Sequence, residues 1–178
     1  MDKVVRGFLQ QQYKEAMALA DESDLLDIIP VDGSPPDRYI AQFSCKGLVC
    51  SGGEVKEAEN FVVGIWLPSD YLRRVEPLQI VSWLAPENIF HPNIGRGPLR
   101  AGGPLAICLG RLSPGTPLVD LIYQCWELIT YAKATMREDD ALNWDACRWA
   151  RWNTHRFPVD ARPLKRRLVD LEVEAIGA

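Results

Sequence analysis

Two histidines, His91 and His155, are all that this chain of 178 residues contains. A metal centre built on imidazoles therefore has few ligands to draw on, and no metal is expected. The five cysteines, at 45, 50, 108, 125 and 147, are odd in number and include no CxxC pair. That pattern argues against both a disulfide scaffold and a zinc knuckle. Reduced thiols and a cytosolic location follow as expectations. No apolar run approaches the roughly 20 residues that span a bilayer, so no membrane role is expected. The opening MDKVVRGFLQQQYKEA is too polar for a signal peptide. A net charge of −4 supplies no general attraction to phosphate backbones, which makes nucleic acid an unexpected partner. Internal repeats and low-complexity tracts are missing as well.

What remains is an ordinary globular composition, 47% apolar and 25% charged, on a length suited to one domain with a real core. Val5, Leu9, Gln12, Ala16 and Leu19 recur at helical spacing and predict a helix over residues 2–20, with Lys3, Arg6 and Lys14 making it partly basic. LLDIIPV is a short apolar strand, and SPPD at 34–37 is a turn. Tyr39, Ala41, Phe43 and Cys45 alternate with polar residues, as a half-buried strand does. GLVCSGGEVKEAEN reads as a loop with room for a hairpin. NFVVGIWLP at 60–68 and PLQIVSWLAP at 77–86 read as strands apolar on both faces and hence covered on both. Four strands with short connections suggest an antiparallel meander.

Past residue 86 the periodicity stops. NIFHPNIGRGPLRAGGPLAICLGRLSPGTP is long, rich in glycine and proline, and irregular, a texture associated with functional segments. Leu118, Leu121, Ile122, Cys125, Ile129 and Ala132 then form one apolar helical stripe. Asn143 is placed to cap a further helix, with Ala146, Trp149 and Ala150 facing inward and Cys147 one position off that face. PLKRRLVDLEVEA, opened by Pro163, is a last helical candidate. Helix, strands, irregular segment and helices make an α+β order rather than a βαβ alternation.

FHPNI at 90–94 ahead of AICL, with DDALN ahead of a helix, resembles the ubiquitin-conjugating enzymes. The residues are His91-Pro92-Asn93, Ile107-Cys108-Leu109 and Asp139-Asp140-Ala141-Leu142-Asn143. Pro68-Ser69-Asp70-Tyr71 and Leu112-Ser113-Pro114 are fainter echoes of a Pro-x-x-Tyr and a Trp-Ser-Pro in that family. The likeness covers about residues 1–152, leaving 153–178 as an extension packing on the same domain. Departures are clear: the interval from Asn93 to Cys108 is about twice the usual one, Leu72 follows Tyr71 where the family has proline, and Ala141 replaces a proline. The pattern is closest to divergent bacterial members, which accompany a ubiquitin-like protein, an activating enzyme and a deconjugating peptidase, and are associated with defence against phage.

The resemblance implies a ubiquitin-conjugating-like fold, with an N-terminal helix, a four-stranded meander, an irregular active-site segment and C-terminal helices. It implies a transferase without cofactor, whose partners are a ubiquitin-like protein, an ATP-dependent activating enzyme and a protein substrate. Cys108 would carry the modifier as a thioester, which stays electrophilic enough for a lysine amine to attack it. The thiolate is the nucleophile, and nearby cations such as Arg96, Arg100 or Arg111 would raise its fraction. Asn93 would donate to the oxyanion of the transfer step or hold the surrounding loop, unless it only ends a turn. His91 reads as structural, bonded to nearby backbone, with Pro92 beside it. Asp139 and Asp140 would orient the amine and take its proton, or else complement a helix dipole. Lys3, Arg6 and Lys14 would face the activating enzyme, or be a solvated face. The run 155–158 and the basic stretch 165–167 would form a partner surface or close the domain. Cys45 and Cys125 read as core, and Cys50, in a glycine loop, is the rival thiol. Two other readings compete: a catalytically inactive binding module of the same fold, docking a ubiquitin-like protein or its activating enzyme, and a cysteine hydrolase using Cys108 and His155.

Overall fold

Asp2 caps the first helix, its carboxylate accepting from Val4 N at 2.9 Å, and the helical stripe then buries Leu9, Gln12, Ala16 and Leu19 along α1, Lys3–Asp21. The computed structural model describes residues 2–96 and 105–166. Strands β1, Leu26–Gly33, and β2, Pro36–Phe43, follow. The segment read as a loop with room for a hairpin forms one, from β3, Gly47–Ser51, and β4, Glu54–Ala58. Next come β5, Phe61–Trp66, a single helical turn α2, Pro77–Ile80, and β6, Val81–Ala85. Pro77 explains why residues 77–80 are not strand: its fixed φ suits the first helical position, and Ile80 is tucked inward there.

The irregular segment contributes two short strands, β7, Ile94–Gly95, and β8, Leu105–Ile107. The main sheet is antiparallel in the order β1-β2-β5-β6-β8-β7. Its inner face places Ile28, Tyr39, Ala41, Phe61, Val63, Ile65 and Trp83 against α1 and the third helix. The outer face is open, contrary to the expectation from the doubly apolar strands: Trp66 is 37% exposed and Leu84 43%. Leu84 covers Gly64, where a side chain is missing, so the apolar outer residues shelter one another rather than a second layer.

Helix α3, Leu118–Ile129, lies across the core with its stripe buried. Its capping position is Pro117, which has no side-chain acceptor to offer. Gln12 of α1 fills that need, Oε1 accepting from Leu118 N at 2.6 Å. The helix stops before Ala132, because Tyr131 takes φ 60° and turns the chain. A 3₁₀ turn at Glu138–Asp140 leads to α4, Trp144–Trp152, capped by Asn143 Oδ1 accepting from Ala146 N at 3.0 Å. Cys147 is fully buried on α4 while Trp149 is only partly so, which rotates the inward face by one position from the sequence reading.

Residues 153–166 lie on the same body. Phe157 stacks on Tyr131 at 4.5 Å, Val159 N donates to Thr130 O, and Leu164 is buried in the main core. Asp160 accepts from Lys46 N at 2.9 Å and is ion-paired to Arg162. Residues 163–166 are not helical; the remainder of the helix expected from Pro163 falls outside the described residues. Among the described residues no helix is long and apolar enough to cross a membrane.

Candidate functional site

The fragments singled out in the sequence meet at one corner of the sheet. Register places them: Ile94 pairs with Ile107 and Gly95 with Ala106, so one step outward Asn93 stands across from Cys108. The pairing continues there, Cys108 N donating to Asn93 O at 2.8 Å. The doubled interval does not separate the two residues; positions 97–104 within it lie outside the described residues.

His91, fully buried, orders the turn from below. Its Nδ1 accepts from Asn93 N at 3.0 Å, and its Nε2 lies 3.2 Å from Lys133 O. Those partners assign the proton to Nε2, which donates to the carbonyl. Burial pushes the ring down to about 3, so it stays neutral near physiological pH. The ring also meets Tyr131 edge-on at 4.4 Å. Both ring nitrogens of His91 are thus engaged with backbone groups.

Asn93 is 8% exposed and uses both ends of its amide. Nδ2 donates to Cys108 O at 3.1 Å, and Oδ1 accepts from Thr135 N at 2.8 Å. Of its expected roles, holding the loop is the one these bonds describe. One amide N–H remains beyond the bond to Cys108.

The acidic loop is tied to the same turn at both ends. Thr135 N bonds Asn93 as above, and Leu142 N and Asn143 N both donate to Pro92 O, at 2.8 and 3.1 Å. Gly95 permits this approach, because a Cβ there would sit 2.5 Å from Leu142 O. Between the anchors the loop presents Asp139 and Asp140, both exposed. Asp140 pairs with Arg137 at 3.5 Å, and Glu138 with Arg148 and Arg151. Asp139 makes no ion pair with any described residue.

The five cysteines are free thiols of two kinds. Cys45, Cys125 and Cys147 are buried at 0–1% exposure, and burial pushes the first two up to about 12. Cys147 Sγ donates to Thr135 O at 3.6 Å. Cys50, placed by the sequence in a loop, is strand residue 50 of β3, half-buried against the second core cluster. Cys108 is also half-buried, but lies outside regular structure, one residue past β8. Buried thiols behave as small hydrophobes, whereas a partly exposed one in irregular chain can meet a reactant.

The fainter echoes meet too. Tyr71 Oη donates to Thr116 O at 2.9 Å and Gly115 N donates to Tyr71 O, so the Pro68–Tyr71 turn holds the chain that follows Cys108. Of the cations expected near the thiol, Arg96 and Arg111 are exposed, and Arg100 lies outside the described residues. The cation that reaches this segment is Lys133, whose Nζ lies 3.3 Å from Leu109 O. Sequence separation hid it, as it hid Thr135 and the fit at Gly95. Lys3, Arg6 and Lys14 lie exposed on α1, and Arg156 sits over the Trp149 ring. Among the described residues no group of three or more His, Cys, Asp or Glu side chains is gathered as a metal site.

Comparisons with protein-family models, with curated proteins and with solved structures gave no match for this chain.

Proposed function

We propose that the chain is a ubiquitin-conjugating-type transferase that carries a ubiquitin-like protein on Cys108. The observation supporting this reading most is the reciprocal pairing of Asn93 with Cys108, on a turn that also anchors the acidic loop at two places. A half-exposed thiol, an amide-bearing turn and a loop carrying Asp139, which is free of ion pairs with described residues, support that reading.

The reaction balances without a cofactor. The Cys108 thiolate attacks the modifier's C-terminal acyl carbon, already a thioester on the activating enzyme, and expels that enzyme's thiolate. A lysine amine of the protein substrate then attacks the Cys108 thioester. The tetrahedral oxyanion collapses to an amide and releases Cys108 as thiolate, and the amine's proton passes to Asp139, Asp140 or water. Asn93 keeps the Cys108 carbonyl and the acidic loop in register, and its remaining N–H can serve the oxyanion. The basic face of α1 would receive the activating enzyme.

The alternative, an inactive docking module of the same kind, is favoured by one observation: Asn93 is already engaged at both ends of its amide. Incubation with the activating enzyme, the ubiquitin-like protein and ATP, followed by electrophoresis without reductant, separates the two. A reductant-sensitive band lost in Cys108→Ala supports the carrier. A band that survives there and disappears in Cys50→Ala refutes the choice of thiol, and no band with a cognate set favours the docking module.

A further inference from the structure

We infer that the solvent face of helix α4 is a docking surface for a partner protein, which presents an acidic amphipathic helix to it. The inference does not depend on the reading of Cys108.

Helical spacing builds the surface. Trp144, Arg148 and Trp152 stand at i, i+4 and i+8 of α4, one stripe about 12 Å long. The opposite face carries the buried Ala146, Cys147 and Ala150, and the two alanines pack in the cluster of Leu48, Phe90 and Tyr131. Asn143 supplies the cap, so neither stripe tryptophan is needed to start the helix or to seat it. Yet Trp144 is 62% exposed and Trp152 84%, the two largest aromatic exposures among the described residues. Together the rings offer about 300 Å², more than a third of the roughly 800 Å² that each partner gives to a stable interface.

Charge says what covers them. Arg151 is engaged within the chain, Nε donating to Met136 O at 2.7 Å and Nη1 to Glu138 at 3.1 Å. Arg148 comes no nearer than 3.8 Å to Glu138, beyond hydrogen-bond length. Arg156, from the run 155–158, lies over the Trp149 ring at 5.2 Å and makes no ion pair with any described residue. Glu138 is the carboxylate paired with these arginines, while Asp145 sits in the first turn of α4, where the helix dipole complements it. The half of the face from Arg148 to Arg156 therefore keeps two guanidiniums with free donors and calls for anionic groups opposite. Tryptophan and arginine are also the side chains that dominate binding at interfaces. A facing helix with a glutamate between two apolar side chains, four residues to either side, matches the stripe in spacing and in charge. A second copy fits worse, because two-fold pairing of the stripe sets Arg148 against Arg148. Single-stranded nucleic acid would stack on the indoles, but Glu138, Asp139, Asp140 and Asp145 beside the helix repel phosphates.

Fluorescence anisotropy with a labelled, alanine-rich helical peptide carrying leucine, glutamate and leucine four residues apart tests the surface on the full chain. The unaltered protein is expected to bind it, with affinity reduced on the order of tenfold by Trp152→Ala and about threefold by Arg148→Gln or Arg156→Gln. Lysine in place of the peptide's glutamate is expected to weaken binding on the order of tenfold. Trp66→Ala, which removes an exposed indole from the sheet instead, is expected to leave the affinity unchanged. No binding, equal affinity for the glutamate and lysine peptides, or an equal loss in Trp66→Ala overturns the proposal. So does tighter binding of a labelled oligothymidine than of the peptide, which assigns the face to nucleic acid. A dimer of the unaltered chain in sedimentation that dissociates in Trp152→Ala assigns it to a second copy and overturns the proposal as well.

Discussion

Strands β2 and β5 are joined by six consecutive paired positions, Arg38↔Trp66 through Phe43↔Phe61, whereas β7 and β8 share only two. In the first region many equivalent backbone bonds and a continuous apolar face set the geometry, and loss of one contact is shared among its neighbours. At the corner around Cys108 each relationship has its own donor and acceptor: His91 for the turn, Asn93 for Cys108 and Thr135, Pro92 for Leu142 and Asn143, Lys133 for Leu109. Redundancy gives the sheet its tolerance. The corner has none, so a single substitution there alters geometry while the core stays folded.

The largest contrast is expected at Asn93. Asn93→Ala leaves the partly buried Cys108 O and Thr135 N without their partner, which costs on the order of 1 kcal/mol for each bond lost. Transfer from a preformed thioester should fall on the order of 100-fold, measured by single-turnover discharge to free lysine. An Ile40→Val change within the meander should leave that rate within about twofold. Equal losses from the two variants would erase the distinction between regions.

A smaller effect is expected within the acidic loop. Asp139 is free of ion pairs with described residues and Asp140 is not, so Asp139→Asn should slow discharge to lysine about tenfold and Asp140→Asn by less. Discharge assays of the paired variants decide the order; a larger effect at Asp140 would reassign the proton acceptor.

Least visible at neutral pH is the acid sensitivity of the turn. The His91 ring is held down to about 3, against 6.5 in an unfolded chain. Below about pH 6.5 the unfolded state binds a proton that the folded state refuses, so this contribution is complete above 6.5 and is lost as pH falls toward 3. For Asp160, burial opposes ionisation, but hydrogen bonds from Arg162 and Lys46 N outweigh it and hold the carboxyl at about 2. That stabilisation is present above 3.8 and disappears as pH drops toward 2. Urea midpoints measured at about pH 7 and about pH 4.5 should differ, and His91→Gln should reduce the difference. An equal pH dependence in that variant would contradict the neutral, doubly bonded ring.

Periodicity made the regular elements legible. The stripe of α1, the alternation of β2, the stripe of α3 and the Asn143 cap all reappear where local spacing put them. Where local spacing was the wrong guide, tertiary context decided. Pro77 turned a strand start into a helical turn, Tyr131 ended α3 early, and Cys147 instead of Trp149 took the fully buried place. The doubly apolar strands suggested a covered sheet, yet Trp66 and Leu84 face outward, because composition does not say which layers exist. In the corner, residue types marked His91, Asn93, Cys108 and the acidic pair. Thr135, Lys133 and Gly95 carried no comparable mark, since their parts consist of a backbone N–H, a long reach and an absent side chain.

The central claim is that the sulfur of Cys108 holds the modifier. Its most direct test is isolation of the reductant-sensitive adduct formed with the activating enzyme, ubiquitin-like protein and ATP, proteolysis at mildly acidic pH, and mass determination of the peptide that carries the modifier's C-terminal residues. The account predicts those residues esterified to the peptide spanning Ile107–Leu109. Finding them on the peptide of Cys50, or on a lysine through a bond that reductant leaves untouched, would contradict it.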